Sequence, residues 1–239
     1  MKIKITHPLV SCICVTQNRS QLLLKTIISF DQQNYPNTEL VISYPKNDHE
    51  SKRLVAHIIR ATEIKIITVE RDENETIGTA RNNAIKASTG DYVCMWDDDD
   101  IHFFSRVADQ YNLLQGEGRY FESSVLMRIL LYDTPTKSAY LSFYDYWGGT
   151  LLCKKEHILQ YPCTDTNQFE CKPVIDYLKS KKLIFEMSGN PSLYVSVYHG
   201  KNLISDINFQ YLCKKSDLLD KSFSKSIHQM LSQHAAVNI

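Results

Sequence analysis

Between residues 9 and 96 the chain switches repeatedly between two apolar periods, and that alternation narrows its fold more than any other feature. LVSCICV at 9–15 is a short apolar run rich in strand formers, and SQLLLKTIISFDQQ at 20–33 repeats apolar groups at helical spacing behind Ser20 as N-cap. ELVIS at 39–43, a helix around 51–61 and IKIITV at 64–69 continue the pattern. ETIGTARNNAIKASTG then places Ile77, Ala80, Ala84 and Ala87 on one helical stripe, with Gly90 closing the helix as its C′ residue, and leads into a fourth strand, DYVCMW at 91–96. Strands alternating with helices predict an α/β fold, a Rossmann-like, mostly parallel sheet flanked by helices, with right-handed crossovers. Ligands of such sheets bind beyond the carboxyl ends of the strands. TQNR at 16–19 and the four aspartates Asp97–Asp100 both stand at such ends, so both are expected to face one crevice.

Past residue 120 the pattern changes. SSVLMRILLYD, KSAYLSFYDYW and GGTLLCKKEHIL suit antiparallel strands, CKPVIDYLKSK at 171–181 a helix with Pro173 in its first turn, and SLYVSVYHG at 192–200 another strand. No linker or repeat divides the chain. The expected organisation is one domain over 1–239: a ligand-binding half at 1–110, a mixed or antiparallel half at 111–213, and a helix or tail at 214–239.

Charge excludes some partners. Lys plus Arg and Asp plus Glu balance at 27 each, which leaves no basic field for nucleic acid and no polybasic surface for anionic lipid. The amino-terminal apolar run is cut off by Thr16, Gln17, Asn18 and Arg19 too early for a signal peptide, and no later segment reaches 18 uninterrupted apolar residues. Seven cysteines without a CxxC pair indicate reduced, cytoplasmic usage, with Cys12, Cys14 and Cys94 as small buried hydrophobes.

Acidic runs are ordinarily solvated turns, but this one ends a buried strand, where desolvation penalises the charges unless a cation or hydrogen-bond donors compensate. A hard divalent cation, Mn²⁺ or Mg²⁺, takes such oxygen ligands. If the segment stays extended, Asp97 and Asp99 share one face and Asp98 and Asp100 the other. Arg81 is either a surface ion pair or a counter-charge in the same crevice, touching a diphosphate. Gly78 starts the helix before it, where backbone N–H groups favour an anion.

The ordered set of VSCICVTQNR, a helix ending near QNYP, IGTARNNAIKASTGDYV and DDDD resembles the nucleotide-sugar-binding half of family 2 glycosyltransferases of GT-A fold, over roughly residues 8–110. The resemblance implies transfer of a sugar from a UDP- or GDP-sugar donor to a hydroxyl on a saccharide or lipid-linked acceptor, with inversion, in bacterial surface polysaccharide or lipopolysaccharide synthesis. It places Thr16, Asn18 and Arg19 in the pocket wall, Arg81 at the nucleotide or diphosphate, Asp97 and Asp99 at ribose and metal, and His199 of HGKN at metal or phosphate. Asp98 joins the donor side. Such an enzyme would work in the cytoplasm, with peripheral contact at the inner face of the membrane if its acceptor is lipid-linked.

Two positions depart from the family pattern. Where relatives carry D-D-G-S after the second strand, this chain has Ser43, Tyr44 and Pro45, with Asp48 as the substitute from the loop. Where they carry E-D at a helix start, it has Glu170 and Cys171. Inversion needs a carboxylate to take the acceptor proton, and Glu170 is the first candidate, Asp165 the second. An ordinary first-turn glutamate is the plain alternative. Two other functions fit the same residues: a catalytically silent nucleotide-sugar-binding protein and a nucleotidyltransferase. The second lacks a Gly-rich, Lys-containing phosphate loop near the first strand.

Overall fold

A computed structural model of the chain describes residues 7–116 and 120–233. The outermost expectations, for residues 1–6 and 234–239, lie outside the described residues. The first half follows the predicted alternation: β1 (Val10–Val15), α1 (Ser20–Asp31), β2 (Thr38–Pro45), α2 (His49–Ala61), β3 (Ile66–Arg71), α3 (Ile77–Ala87) and β4 (Tyr92–Met95). The remainder supplies β5 (Ile101–His102), α4 (Arg106–Asn112), β6 (Ser123–Leu126), β7 (Leu130–Asp133), β8 (Ser138–Leu141), β9 (Leu152–Lys154) and α5 (Lys155–Gln160). After these come α6 (Lys172–Ser180), β10 (Ile184–Met187), β11 (Tyr194–Tyr198), α7 (Asp206–Lys214), β12 (Asp217–Leu218) and α8 (Lys221–Gln233).

Seven strands form the main sheet in the order β10-β6-β9-β4-β1-β2-β3. Only β9 runs antiparallel to its neighbours β4 and β6. Period 2 decides what each face of this sheet buries. Cys12, Cys14, Leu40, Ile42, Cys94 and Trp96 meet Leu23 and Ile27 of α1 and Val55 and Ile58 of α2 on one side. Ile13, Val41, Val93 and Met95 meet Ala84 and Ile85 of α3 and Val174 and Leu178 of α6 on the other. Each such Leu or Ile adds about 2 kcal/mol by leaving water. Because β1 pairs in parallel with both β2 and β4, Ile13 opposite Met95, the chain leaves β1 and β4 at one rim. That rim is the switch point of the sheet, where a crevice opens.

The second sheet, β12-β8-β7-β11-β5, is mixed, with β7 and β11 parallel and the other pairs antiparallel. Helix α8 covers one face of it, Ile227 and Leu231 packing with Tyr132, Ala139 and Val197. The carboxyl-terminal segment is thus a packed helix through residue 233. No helix among the described residues is long and apolar enough to cross a membrane. All seven cysteines are buried and free.

Three local expectations need correction. Ser20 is the first residue of α1 rather than its cap; Arg19 holds that position and no side chain caps the helix. Helix α3 ends at an extended Ser88, not at Gly90, and Ala87 is exposed, so its buried stripe is Gly78, Ala80, Arg81, Ala84 and Ile85. Gly90 is glycine for another reason: a Cβ there would sit 2.5 Å from Ser11 Oγ and 2.7 Å from the Leu9 carbonyl oxygen. Beside it, the buried Glu39 carboxylate accepts from Ser11 Oγ, Thr89 N–H and Thr89 Oγ1, each at 2.6 Å. Burial opposes its charge, yet these donors hold its pKa below the usual glutamate value. Glu39→Ala strands the buried Ser11 hydroxyl and frees two Thr89 donors that water can reach, and is expected to cost about 1–3 kcal/mol, lowering Tm by about 3–10 °C. A depressed carboxyl pKa stabilises above the unfolded value of 4.5 and loses that contribution as pH falls through the folded one. Thermal melts of the two proteins should therefore differ at pH 7 and converge in acid.

Candidate active site

The chain turns sharply after β1, with Asn18 at a φ of 52°. This conformation aims the side chains of Thr16 and Arg19 at the end of β4, across the gap between adjacent strands. Thr16 Oγ1 donates to Asp98 Oδ2 at 2.6 Å, and Arg19 Nη1 donates to Asp98 Oδ1 at 3.2 Å and Asp99 Oδ2 at 2.9 Å. On the far side of the aspartates, Arg81 bridges the Asp97 and Glu170 carboxylates, with both ion pairs short. Burial works against the Arg81 charge, but the Asp97 carboxylate holds its pKa above the usual arginine value. Around these groups opens a crevice of about 1290 Å³ lined by the 16–19 turn, the four aspartates, residues 145–149, 167–172 and part of α7. That exceeds the volume a small-molecule site needs.

The four carboxylates differ. The strand ends at Met95 and the chain turns over Asp98 and Asp99, so the alternation expected of an extended segment does not apply. Their pairing is instead Asp97 with Asp100 and Asp98 with Asp99. The Tyr194 hydroxyl bridges the first pair, 3.1 Å from Asp97 Oδ2 and in short contact with Asp100. Asp100 also accepts from Val197 N–H at 2.9 Å. Burial, reinforced by the charges of Asp99 and Asp97, drives the Asp100 pKa well up, while its two donors tie it into the turn. Asp98, 5% exposed, is pushed up to about 7 by burial and by Asp99. Asp99 moves the other way. Burial is outweighed by His199 and Arg19, which hold its carboxyl below the ordinary range.

His199 Nε2 lies 3.4 Å from Asp99 Oδ2, and Asn202 Nδ2 donates to the same oxygen at 3.1 Å. His199 Nδ1 accepts from Lys201 N–H at 3.3 Å, so Nε2 carries the proton in this arrangement. The structure thus brings Asp99 and His199 together and leaves Asp97 apart, against Arg81. Among the described residues, the three-residue group whose donor atoms all lie within 4.8 Å is Glu122, Glu156 and His157. It stands outside the crevice, where Lys154 pairs with Glu122.

Other candidates stand behind the wall. Asp48 is buried and caps α2, accepting from Ser51 N–H at 3.0 Å and from Asn18 N–H at 2.7 Å, so it shapes the turn. Ser43, Tyr44 and Pro45 continue β2 instead of opening a loop. The anion site expected at the start of α3 is filled by the chain itself. Gly78 N–H donates to the Thr166 carbonyl, Ile77 N–H to Asn167 Oδ1 and Thr79 N–H to Thr76 Oγ1. Gly78 serves close packing: its Cβ would lie 1.7 Å from the Thr164 carbonyl oxygen. Gly78→Ala is therefore expected to prise the 164–170 loop from α3 at a cost of about 1–3 kcal/mol. Thermal melting and faster proteolysis within that loop would register it. Asp165 accepts from the Thr76 and Thr79 hydroxyls, which depress its pKa, and does not line the crevice.

The family described as glycosyl transferase family 2 matches residues 11–176 of this chain. The chain belongs to that family. Among curated relatives, WcaA of Escherichia coli K12, provisionally a colanic acid biosynthesis glycosyl transferase, is 31% identical over 94 residues, 39% of this chain and 33% of that protein. WfaP of Escherichia coli, a UDP-Glc:alpha-D-GlcNAc-diphosphoundecaprenol beta-1,3-glucosyltransferase, is 25% identical over 116 residues, 48% of this chain and 45% of that protein. The alignments span less than half the length of either relative. The mannosyltransferase PcManGT of Pyrobaculum calidifontis, solved with GDP-Man and Mn²⁺, superposes with a TM-score of 0.60 at 16% identity, over 81% of this chain and 57% of that one. At that identity the likeness shows the fold, which is GT-A.

This family 2 chain also carries site residues that sequence reasoning missed. Arg71, at the end of β3, is buried and donates to the Thr16 carbonyl at 3.2 Å and to Gln17 Oε1 at 3.0 Å, clamping the first turn. A third parallel strand ending at the same rim was the available signal. Tyr194 arrives from β11, about a hundred residues away, and nothing local marks it, whereas Asn202, on the loop after that strand, closes the HGKN segment. Cys171, at the family's second acidic position, sits 3.7 Å from Cys163 Sγ and 3.6 Å from Arg81 Nη1. Trp147 is half-buried on the crevice wall, packed near Phe143.

Proposed function

We propose that this chain is a metal-dependent inverting glycosyltransferase that moves a sugar from a nucleoside-diphosphate donor to a hydroxyl acceptor in the assembly of bacterial surface polysaccharide. The observation that carries the reading is the juxtaposition of the aspartate turn with two arginines and Glu170 at the carboxyl rim of β1 and β4. UDP and GDP sugars are the donors to test first, since one relative's name specifies UDP-Glc and one structural neighbour was solved with GDP-Man.

The donor chemistry fits a hard divalent cation. Asp99 is held ionised with His199 beside it, and Asp97, turned toward Arg81 here, would be a further oxygen donor. Bound there, Mn²⁺ or Mg²⁺ would neutralise charge on the departing diphosphate. The protein's own groups do the rest. Arg19, in the wall formed by Thr16 and Asn18, and Arg81, across the aspartates, bring fixed positive charge to where the leaving oxyanion develops. Asp98, buried beneath Thr16 and Arg19, holds the turn that presents Asp99. Glu170, in the crevice wall and oriented by Arg81, takes the proton from the acceptor hydroxyl as the new glycosidic bond forms. Asp165, turned away onto α3, is the weaker base candidate. The acceptor is a saccharide or lipid-linked hydroxyl compound; a lipid-linked one would bring the protein to the inner face of the membrane.

Release of nucleoside diphosphate from a panel of sugar nucleotides in Mn²⁺, with and without candidate acceptors, tests the reading. Turnover of at least one donor is expected. Metal-dependent binding with no turnover would instead mark a silent binding protein, and pyrophosphate released from a nucleoside triphosphate a nucleotidyltransferase.

A further inference from the structure

Arg106 is completely buried, and among the described residues no carboxylate forms an ion pair with it. An unpaired guanidinium in a protein interior is expensive unless every N–H is used to purpose. Its Nε donates to Gln110 Oε1 at 3.1 Å, Nη2 to the Gly149 carbonyl at 3.0 Å, and Nη1 to His102 Nδ1 in a short contact. The plane of the group lies over Tyr194 at 5.0 Å and Trp96 at 5.4 Å. With Nδ1 accepting, His102 must carry its proton on Nε2, and that N–H donates to the main-chain carbonyl of Asp97 at 2.9 Å. Stacking of the imidazole on Trp96, with centroids 3.9 Å apart, sets the plane of the ring, and the Arg106 and Asp97 hydrogen bonds set its direction within that plane.

The other arm of the guanidinium reaches the same aspartate from its far side. A Cβ at Gly149 would lie 2.7 Å from Asp97 Oδ2 and 2.8 Å from Tyr194 Oη, so the Gly149 backbone is the wall against which that carboxylate rests. We propose that Arg106 is a positioning residue for Asp97, fixing its backbone through His102 and its carboxylate through the Gly149 wall and Tyr194. The inference rests on the reading that Asp97 and Asp99 form the cation and diphosphate side of the crevice. A core arginine with no such role would affect only stability.

The two possibilities separate by titrating UDP and GDP, each with and without Mn²⁺, into wild type, Arg106→Lys and His102→Phe. Lysine keeps the charge but not the fork. Phenylalanine keeps the stacking and removes the relay, and it carries the test alone if the lysine variant does not fold. In folded protein, Mn²⁺-dependent affinity is expected to fall at least tenfold while metal-free affinity stays within twofold. Mn²⁺-dependent affinity within twofold of wild type, or an equal fall with and without metal, overturns the inference while leaving the functional reading intact. If wild type itself shows no metal-dependent affinity for either nucleotide, the functional reading fails first and the inference with it.

Discussion

Asp99→Asn is expected to remove Mn²⁺-dependent affinity for the nucleoside diphosphate by about 100-fold, roughly 2.7 kcal/mol, and to suppress sugar transfer further. The side chain keeps its size and one acceptor oxygen, so Asn202 and Arg19 retain a partner, while the charge that would hold a cation is gone. The fold should survive with a modest loss. The depressed pKa of Asp99 means that His199 and Arg19 favour its charge in the folded state, and less repulsion on Asp98 and Asp100 offsets only part of that. Without metal, the variant should therefore melt slightly below the wild-type temperature at neutral pH. Mn²⁺ with nucleoside diphosphate should stabilise wild type by mass action and leave the variant unmoved. Both halves are read in one thermal-shift experiment, and an equal ligand-induced shift in the two proteins would take Asp99 out of the cation site.

Glu170→Gln should have the second-largest effect, lowering transfer by about 10²–10⁴-fold, the usual contribution of a positioned general base. Donor affinity should stay close to wild type, since Arg81 keeps its Asp97 partner and the aspartate turn is untouched. Asp165→Asn supplies the contrast. That carboxylate binds Thr76 and Thr79 on the outer side of α3, so its loss should trim stability slightly and spare transfer. Undiminished transfer by the Gln variant, measured as product formed per folded enzyme, would leave Glu170 as a partner of Arg81 and nothing more.

The half of the fold that carries the aspartates was legible because buried strands and amphipathic helices announce themselves by different periods. Even so, the reading failed wherever the chain left a regular element. Period 2 put Asp97 with Asp99, but the backbone turns at Asp98, and the pairs that form are set by Arg19 and Tyr194. Gly78 at a helix start suggested an anion site, yet its N–H is taken by Thr166 from a loop some ninety residues on. In the second half, strands of two to five residues give too few periods to read, and β11 pairs with β7 across about sixty residues. The residues missed belong to that long-range class. Arg106 follows the aspartates closely in sequence, but its hold on Asp97 depends on Gly149 and Tyr194, which only the assembled sheets bring near. Arg19, Arg81, Asp99 and Glu170 line one crevice, and His199 reaches Asp99 from the loop after β11.

The central claim is that the aspartate turn serves sugar transfer from a nucleotide donor. Its most direct test is the release of UDP or GDP from sugar nucleotides by wild type and Asp99→Asn, in Mn²⁺ and in chelator. The account predicts release by wild type in Mn²⁺ alone, lost in the variant. Release that persists in chelator, or proceeds equally in the Asp99 variant, would contradict it.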